Sequence, residues 1–184
     1  RYDNGVWGGE VTLFYIDFSD ELQYVSNDVG WTNLGATKHQ GIETSVHYDM
    51  STLNPALDGL SVNAAFTYTK ATSEGDIPNF KGRDLPLYSR QVVNLGARYV
   101  VNRWSYNIDM FAQSQQHAPG TGGVYITDPT PDGQYGDIPG YATWSTRVGY
   151  DFGPEASNLK VGAGIKNLFN QEYYTRSSDN NSGI

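Results

Sequence analysis

The chain has 184 residues, enough for one domain with a sizeable core, and no cysteine, so it can form neither a disulfide nor a thiolate metal site. Its formal charge of −8 excludes the basic stripe that a nucleic-acid surface needs. Mean hydropathy is −0.52 and no stretch approaches the ~20 apolar residues of a membrane helix. A membrane barrel is not excluded, because its strands alternate lipid-facing apolar with lumen-facing polar residues and average out as polar.

The chain opens at Arg1 rather than Met, and no apolar run resembles a signal peptide, so the natural start is expected to have been removed. From there the signal is repeated period-2 alternation. A first strand is expected over about 8–24; it is apolar on both sides around Leu13 to Phe18, so its parity stays open. Over 38–48, Ile42, Thr44, Val46 and Tyr48 oppose His39, Gly41, Glu43, Ser45 and His47. Over 60–70, Val62, Ala64, Phe66 and Tyr68 oppose Asn63, Ala65, Thr67 and Thr69. Over 91–101, Val93, Leu95, Ala97 and Tyr99 oppose Asn94, Gly96 and Arg98. Over 104–114, Trp104, Tyr106, Ile108 and Met110 oppose Ser105, Asn107, Asp109 and Gln113, with Phe111 breaking the polar set. Over 141–152, Trp144, Val148, Tyr150 and Phe152 oppose Ser145, Arg147, Gly149 and Asp151. Over 159–167, Leu159, Val161, Ala163 and Ile165 oppose Lys160, Gly162, Gly164 and Lys166.

Strands of about ten residues cross a bilayer when tilted, whereas soluble strands are usually shorter. The polar sides carry charges that a dry sandwich core could not hold. The apolar sides often end in aromatics, as at Tyr48, Tyr68, Tyr99, Trp104, Trp144 and Tyr150, the pattern of an interfacial girdle. Connections alternate in length: 101–103 and 153–157 are short, 49–59 is intermediate, and 25–37, 71–90 and 115–140 are long. Short turns on one rim and long loops on the other are the habit of an outer-membrane barrel. The expected class is therefore all-β, an antiparallel transmembrane barrel. Seven strands do not close such a barrel, so they read as consecutive strands of a larger one with strands missing at both ends.

No catalytic or metal constellation emerges. His39 and His47 lie eight residues apart on one strand, roughly 26 Å, and His117 falls in a loop, so three ligands do not converge. Gly120-Thr121-Gly122-Gly123 lacks the Lys-Ser/Thr ending of a phosphate cradle and reads as a loop. No Gly-x-Ser-x-Gly elbow is present. Asp109 and Asp151 read as lumenal salt-bridge partners. Lys81, Arg83, Arg90 and Arg176 are loop cations, with Lys38 at a loop base, and guanidinium suits an anionic ligand.

At the C-terminal end, Val161-Gly162-Ala163-Gly164-Ile165-Lys166-Asn167-Leu168-Phe169-Asn170-Gln171-Glu172-Tyr173-Tyr174 resembles the penultimate-strand signature of TonB-dependent outer-membrane receptors. Gln40-Gly41-Ile42-Glu43-Thr44 resembles another of their strand signatures. Tyr150-Asp151-Phe152-Gly153-Pro154, Asp137-Ile138-Pro139-Gly140-Tyr141 and the tail from Arg176 to Ile184 resemble the branch of that family that takes ferric citrate (iron dicitrate). The resemblance implies an about 22-stranded barrel around an N-terminal plug, with residues 1–184 a C-terminal part of the barrel and the plug and remaining strands absent from this chain. It implies a receptor and transporter, not an enzyme, in the outer membrane of a Gram-negative bacterium. Its partners would be the ferric chelate, the outer-membrane lipid and the TonB inner-membrane energising complex, reached through the plug. No cofactor is implied, since iron enters only as the chelate. Most of the arginines that hold ferric citrate in that family would lie upstream of Arg1; the one glutamine from this region aligns near Ser26. The candidate ligand-binding residues are therefore Gln23, Ser26 and Asn27 on the first long loop, with Arg83 and Arg90 on the next. A passive porin or adhesin barrel and a soluble β-rich binding domain remain the alternatives.

Overall fold

The computed structural model describes residues 1–26, 30–33, 35–75, 81–118, 128, 130–131 and 135–174. The strands are β1 (Tyr2–Asp3), β2 (Trp7–Phe18), β3 (Leu22–Ser26), β4 (Gly30–Asn33), β5 (Thr37–Asp49), β6 (Leu60–Ser73), β7 (Gln91–Val101), β8 (Trp104–Gln113), β9 (Gln116–Ala118), β10 (Gly136–Ile138), β11 (Tyr141–Asp151) and β12 (Lys160–Ile165). Eight form one sheet in the order β1-β2-β5-β6-β7-β8-β11-β12, and every neighbour is antiparallel. The sheet is open, with β1 and β12 at its edges. All seven long strands expected from the alternation are present, and β7 has the expected limits.

Residues directly opposite across an antiparallel ladder point to one face. Val11, Thr44, Phe66, Val93 and Ala112 form one such row, and Gly9, Val46, Ala64, Leu95, Met110 and Trp144 the next. The opposite face carries His47, Asn63, Gly96, Asp109 and Ser145 in one row, and Ser61, Arg98, Asn107 and Arg147 in another. The register also settles β2: Val11, Leu13 and Tyr15 join the apolar face, and Glu10, Thr12, Phe14 and Ile16 the polar one. Two hydroxyls on the apolar face are satisfied locally. Thr44 donates to the Phe66 carbonyl at 3.3 Å and Thr146 to the Asn107 carbonyl at 2.9 Å. Each thus faces an apolar surround without an orphaned polar group.

Among the described residues, nothing covers the apolar face. Leu13 is 77 % and Val161 55 % exposed, and Val11, Val46, Leu95, Ile108 and Ile165 are exposed as well. A soluble sandwich would stack a second sheet on that face, whereas lipid covers it in a membrane wall. Aromatic rings gather at one end of this face. Trp7 lies tilted against Tyr2 at 4.7 Å, Tyr99 stacks with Tyr106 at 6.3 Å, and Trp104 lies tilted against Tyr150 at 4.7 Å. That end is the short-turn rim, where β7 and β8 are joined by Asn102 and Arg103 alone. Asn102 takes a left-handed φ of 54°, which asparagine tolerates well. Arg103 crosses to the next turn, donating to Glu155 and to the Phe152 carbonyl; its pairing with Glu155 pushes the guanidinium pKa up.

The first expected strand needs correction. The long strand stops at Phe18, and Leu22–Ser26 belongs to a separate hairpin with β4. A bend at Ser19 and Asp20 divides them. The third long connection likewise holds a hairpin, β9–β10, that the alternation did not show. Both hairpins lie at the long-loop rim, and so does most of the buried material: Thr37, His39, Ala71, Thr72, Ser73, Leu85, Gln116, His117, Ala118 and Ile138. The dry core is therefore at the mouth, where loops pack on strand ends, and not between two sheets.

Candidate functional site

The long-loop rim is built from three connections. In the first, Glu21 donates its amide to the Gly35 carbonyl at 3.0 Å, and Asn33 reaches Asp20 at 3.0 Å, closing the base of the β3–β4 hairpin. In the second, residues 81–87 fold back on the end of β6: the Leu85 amide donates to Ala71 at 2.9 Å and the Ser73 amide to Arg83 at 3.0 Å. Leu85, 1 % exposed, plugs the gap this makes. The Leu87 amide then donates to the His117 carbonyl at 2.7 Å, tying the second connection to the third.

A polar cluster locks the first connection to the wall. His39 on β5, 8 % exposed, places Nε2 2.9 Å from Glu21 Oε2 and 3.3 Å from Thr37 Oγ1. The Thr37 hydroxyl donates to the same Glu21 carboxylate. Phe18 and Tyr88 close over the imidazole edge-on, at 5.3 and 5.7 Å between centroids. Burial, then the charge and hydrogen bond of Glu21, pushes the Tyr88 hydroxyl pKa above its ordinary value. The arrangement resembles a Thr-His-Glu relay in composition alone. A relay needs one imidazole nitrogen on the acid and the other on the nucleophile; here both partners meet the same nitrogen. The cluster is a tether.

His117 on β9 makes a second such contact, with Nδ1 2.9 Å from Asp137 Oδ1 directly across the hairpin. It lines a cleft of ≈ 290 Å³ with Asp84, Tyr88, Arg90, Gln115 and Asp137. His47, far down β5, sits 3.7 Å from Asp3. The three histidines thus go to three different carboxylates.

The expected ligand residues distribute as follows. Gln23 and Ser26 lie on β3 of the rim hairpin, while Asn27 falls outside the described residues. Arg83 is exposed on the second connection. Arg90 stands at the foot of β7, where its carbonyl accepts from the Thr69 amide at 2.9 Å. Its guanidinium is held by both oxygens of Asp84, at 2.6 and 2.8 Å, a bidentate pair that raises its pKa further. All the described candidates therefore sit on one rim. The pairing of Arg90 was not visible in the sequence, where Asp84 is one loop carboxylate among several. The Gly120 to Gly123 segment and Arg176 lie outside the described residues. Of the two strand carboxylates expected to pair, Asp151 meets Lys160 at 2.9 Å and Asp109 forms no ion pair among the described residues.

Residues 1–168 match the family described as TonB dependent receptor-like, beta-barrel. Among solved structures, the chain is similar to the ferric citrate transporter FecA in its unliganded form, with TM-score 0.82 and 31% identity over 100% of this chain and 27% of that one. It is also similar in fold to the copper transporter OprC, with TM-score 0.70, 17% identity, and coverage of 96% and 25%. The ferric yersiniabactin uptake receptor FyuA from Yersinia pestis follows at TM-score 0.68 and 15% identity, covering 96% and 24%. The chain spans about a quarter of the length of these structures. An open antiparallel wall, apolar outside and polar inside, with a loop-built mouth on one rim, is a segment of a barrel, and the match over residues 1–168 identifies which: the chain belongs to the β-barrel family of TonB-dependent receptors.

Proposed function

We propose that this chain is part of the wall of an outer-membrane receptor that imports a ferric chelate by an energy-dependent route, with ferric citrate or a related siderophore as the cargo. The observation that carries the reading is the 31% identity, over the whole chain, to a ferric citrate transporter. In this reading the long-loop rim faces the outside and the short turns face the periplasm, as in other outer-membrane barrels. A plug domain and further strands complete the receptor, and the TonB complex of the inner membrane acts through that plug. The chelate meets Gln23, Ser26 and Asn27 on the first loop and Arg83 and Arg90 on the second. Amide and hydroxyl groups hydrogen-bond its carboxylate oxygens, and guanidinium adds charge. Arg90 reaches a ligand only by leaving Asp84.

The test is uptake of radio-iron citrate by cells whose sole ferric citrate receptor is the full-length protein. Saturable uptake that stops when the TonB complex is removed is the expected result. Background uptake of ferric citrate, with growth restored by another chelate, reassigns the cargo. Solute passage that does not depend on TonB favours a passive porin instead.

A further inference from the structure

The connection between β5 and β6 is the longest on the short-turn rim and differs from its neighbours in chemistry. Met50 to Leu57 carries no charge, and Asp49 and Asp58 bound it. The next two turns on that rim carry Arg103 and Glu155. Leu53 is 64 % exposed, and Pro55 and Ala56 near it are exposed as well.

An exposed leucine alone is ordinary on a protein surface, but the backbone around this one is prepared to leave water. It winds into two single 3-10 turns, Met50–Thr52 and Pro55–Leu57. Asp49 and Asn54 cap them, accepting from the Ser51 amide at 3.0 Å and the Ala56 amide at 2.9 Å. The Leu53, Leu57 and Asp58 amides donate to the Met50, Asn54 and Pro55 carbonyls at 3.1, 2.8 and 3.2 Å. Pro55 has no amide hydrogen to place. Backbone donors that are already paired lose little in a dry surround.

The connection also leans to the outer side of the wall. Tyr48 shares a row with Trp7 and Val62 on the apolar face. The Thr52 hydroxyl donates to the Asp49 carbonyl at 2.9 Å and lies 3.0 Å from the Tyr48 hydroxyl, which holds the turn under the aromatic end of that face. Both rim neighbours are in place: the Asp49 amide donates to the Val6 carbonyl at 2.8 Å on one side, and the Val100 amide to the Gly59 carbonyl at 2.9 Å on the other. Neither covers Leu53.

We propose that residues 50–57 form a foot that rests in the periplasmic leaflet of the outer membrane, with Leu53 as its apolar tip among the lipid chains. Lipid is the occupant because the tip continues the apolar face past the aromatic girdle and carries no charge. The Tyr48 and Thr52 hydroxyls then lie at the level of the headgroups, where amphipathic rings settle. The foot rests on the reading of the wall as membrane-spanning with its short turns toward the periplasm.

Spin labels test it, on the full-length receptor freed of any other cysteine and reconstituted in phosphatidylethanolamine–phosphatidylglycerol vesicles. One label goes on Leu53→Cys, one on Leu95→Cys in the middle of the outer face, and one on Glu155→Cys in a charged turn of the same rim. Each is read by its collisions with oxygen, which concentrates in lipid, and with a water-soluble nickel chelate. Heat-modifiable gel mobility shows that each variant barrel is assembled. The oxygen-to-nickel ratio at Leu53→Cys should exceed that at Glu155→Cys several-fold and stay below that at Leu95→Cys. A Leu53→Cys ratio equal to that of Glu155→Cys, with Leu95→Cys high, overturns the foot and leaves the membrane wall standing. Few collisions with either reagent at Leu53→Cys mean that polypeptide covers the tip, and overturn lipid as its occupant. A Leu95→Cys label open to nickel shows that the wall itself does not face lipid, and the foot falls with it.

Discussion

Gly41 stands where a methyl group has no room. A Cβ there would lie 2.0 Å from the Tyr68 carbonyl oxygen and 2.6 Å from Phe14 Cζ. The phenyl ring of Phe14 lies against β5 at its directly opposite residue, and only glycine permits it. Gly41→Ala should destabilise the folded barrel by about 1–3 kcal/mol, the usual cost of overpacking, seen as a lower temperature of the heat-modifiable gel shift. A second pair of substitutions separates the two faces. Leu95 is flanked by Ala64 and Met110 on the outer face, while Asn94 is inward between Ala65 and Phe111. Leu95→Arg should cost about 2–4 kcal/mol at mid-membrane and impair assembly, and Asn94→Arg should not. Equal assembly yields of the two variants would defeat the membrane assignment of the face. At the mouth, Asp84 holds Arg90, and in the proposed site it would compete with an anionic ligand for that guanidinium. Asp84→Asn should therefore tighten ferric citrate binding to the full receptor, and Arg90→Ala should weaken it, both by several-fold in titration. Gly41 was legible in the sequence as part of a signature, but its reason was not, because the ring that covers it comes from another strand.

At the scale of elements, a buried contact ties the base of the β3–β4 hairpin to β5. Glu21 leads into the hairpin, its carboxylate is shared by Thr37 and His39 on β5, and its charge acts on the Tyr88 hydroxyl of the second connection. Glu21→Ala strands a buried imidazole and the buried Thr37 hydroxyl, at a local cost of about 1–3 kcal/mol. Amide exchange within residues 22–33 should then quicken while exchange in β7 stays slow. The Tyr88 hydroxyl gives the same contact an alkaline limit. Its pKa is raised in the folded state, so its contribution is whole below the ordinary value of 10.0 and is lost as pH climbs through the higher folded value. Protection of residues 22–33 should fall in that range, and Tyr88→Phe should remove this part of the dependence. Neither hairpin was legible beforehand. Period-2 alternation finds strands with one dry and one wet face, and Leu22–Ser26 and Gln116–Ala118 are too short to show it. The parity of β2 was hidden for a related reason: Phe14, Ile16 and Phe18 face inward yet are apolar, with Phe14 lying against Gly41, Phe18 edge-on to His39 and Ile16 exposed.

At the scale of the whole molecule, the long strands and their order were legible because they obey one rule throughout, and the rule reflects two solvents. Gln91–Val101 is bounded alike in sequence and structure, since its ends coincide with a loop arginine and a two-residue turn. The sheet they make has two unpaired edges, at β1–β2 and at β12. Lipid offers no partner to a free strand edge. The 184-residue segment produced by itself in detergent should therefore yield no heat-modifiable monomer and should associate through its edges. A monodisperse, cooperatively melting monomer would show instead that the segment closes on itself.

The unequal connections also set the order in which such a wall can be assembled. Asn102 and Arg103 bring β7 and β8 together with almost no chain to immobilise, whereas β8 reaches β11 only after a connection of more than twenty residues is closed. The strand pair with its tight turn is thus the natural unit of insertion, and each later pairing adds a ready-made hairpin. Loop-closure entropy rises only about 0.6 kcal/mol for each doubling of length. The mouth can consequently gain or lose residues between relatives at little thermodynamic penalty. The Asn102 turn has no such freedom, because one added residue there would rotate every following side chain of β8 from lipid to lumen.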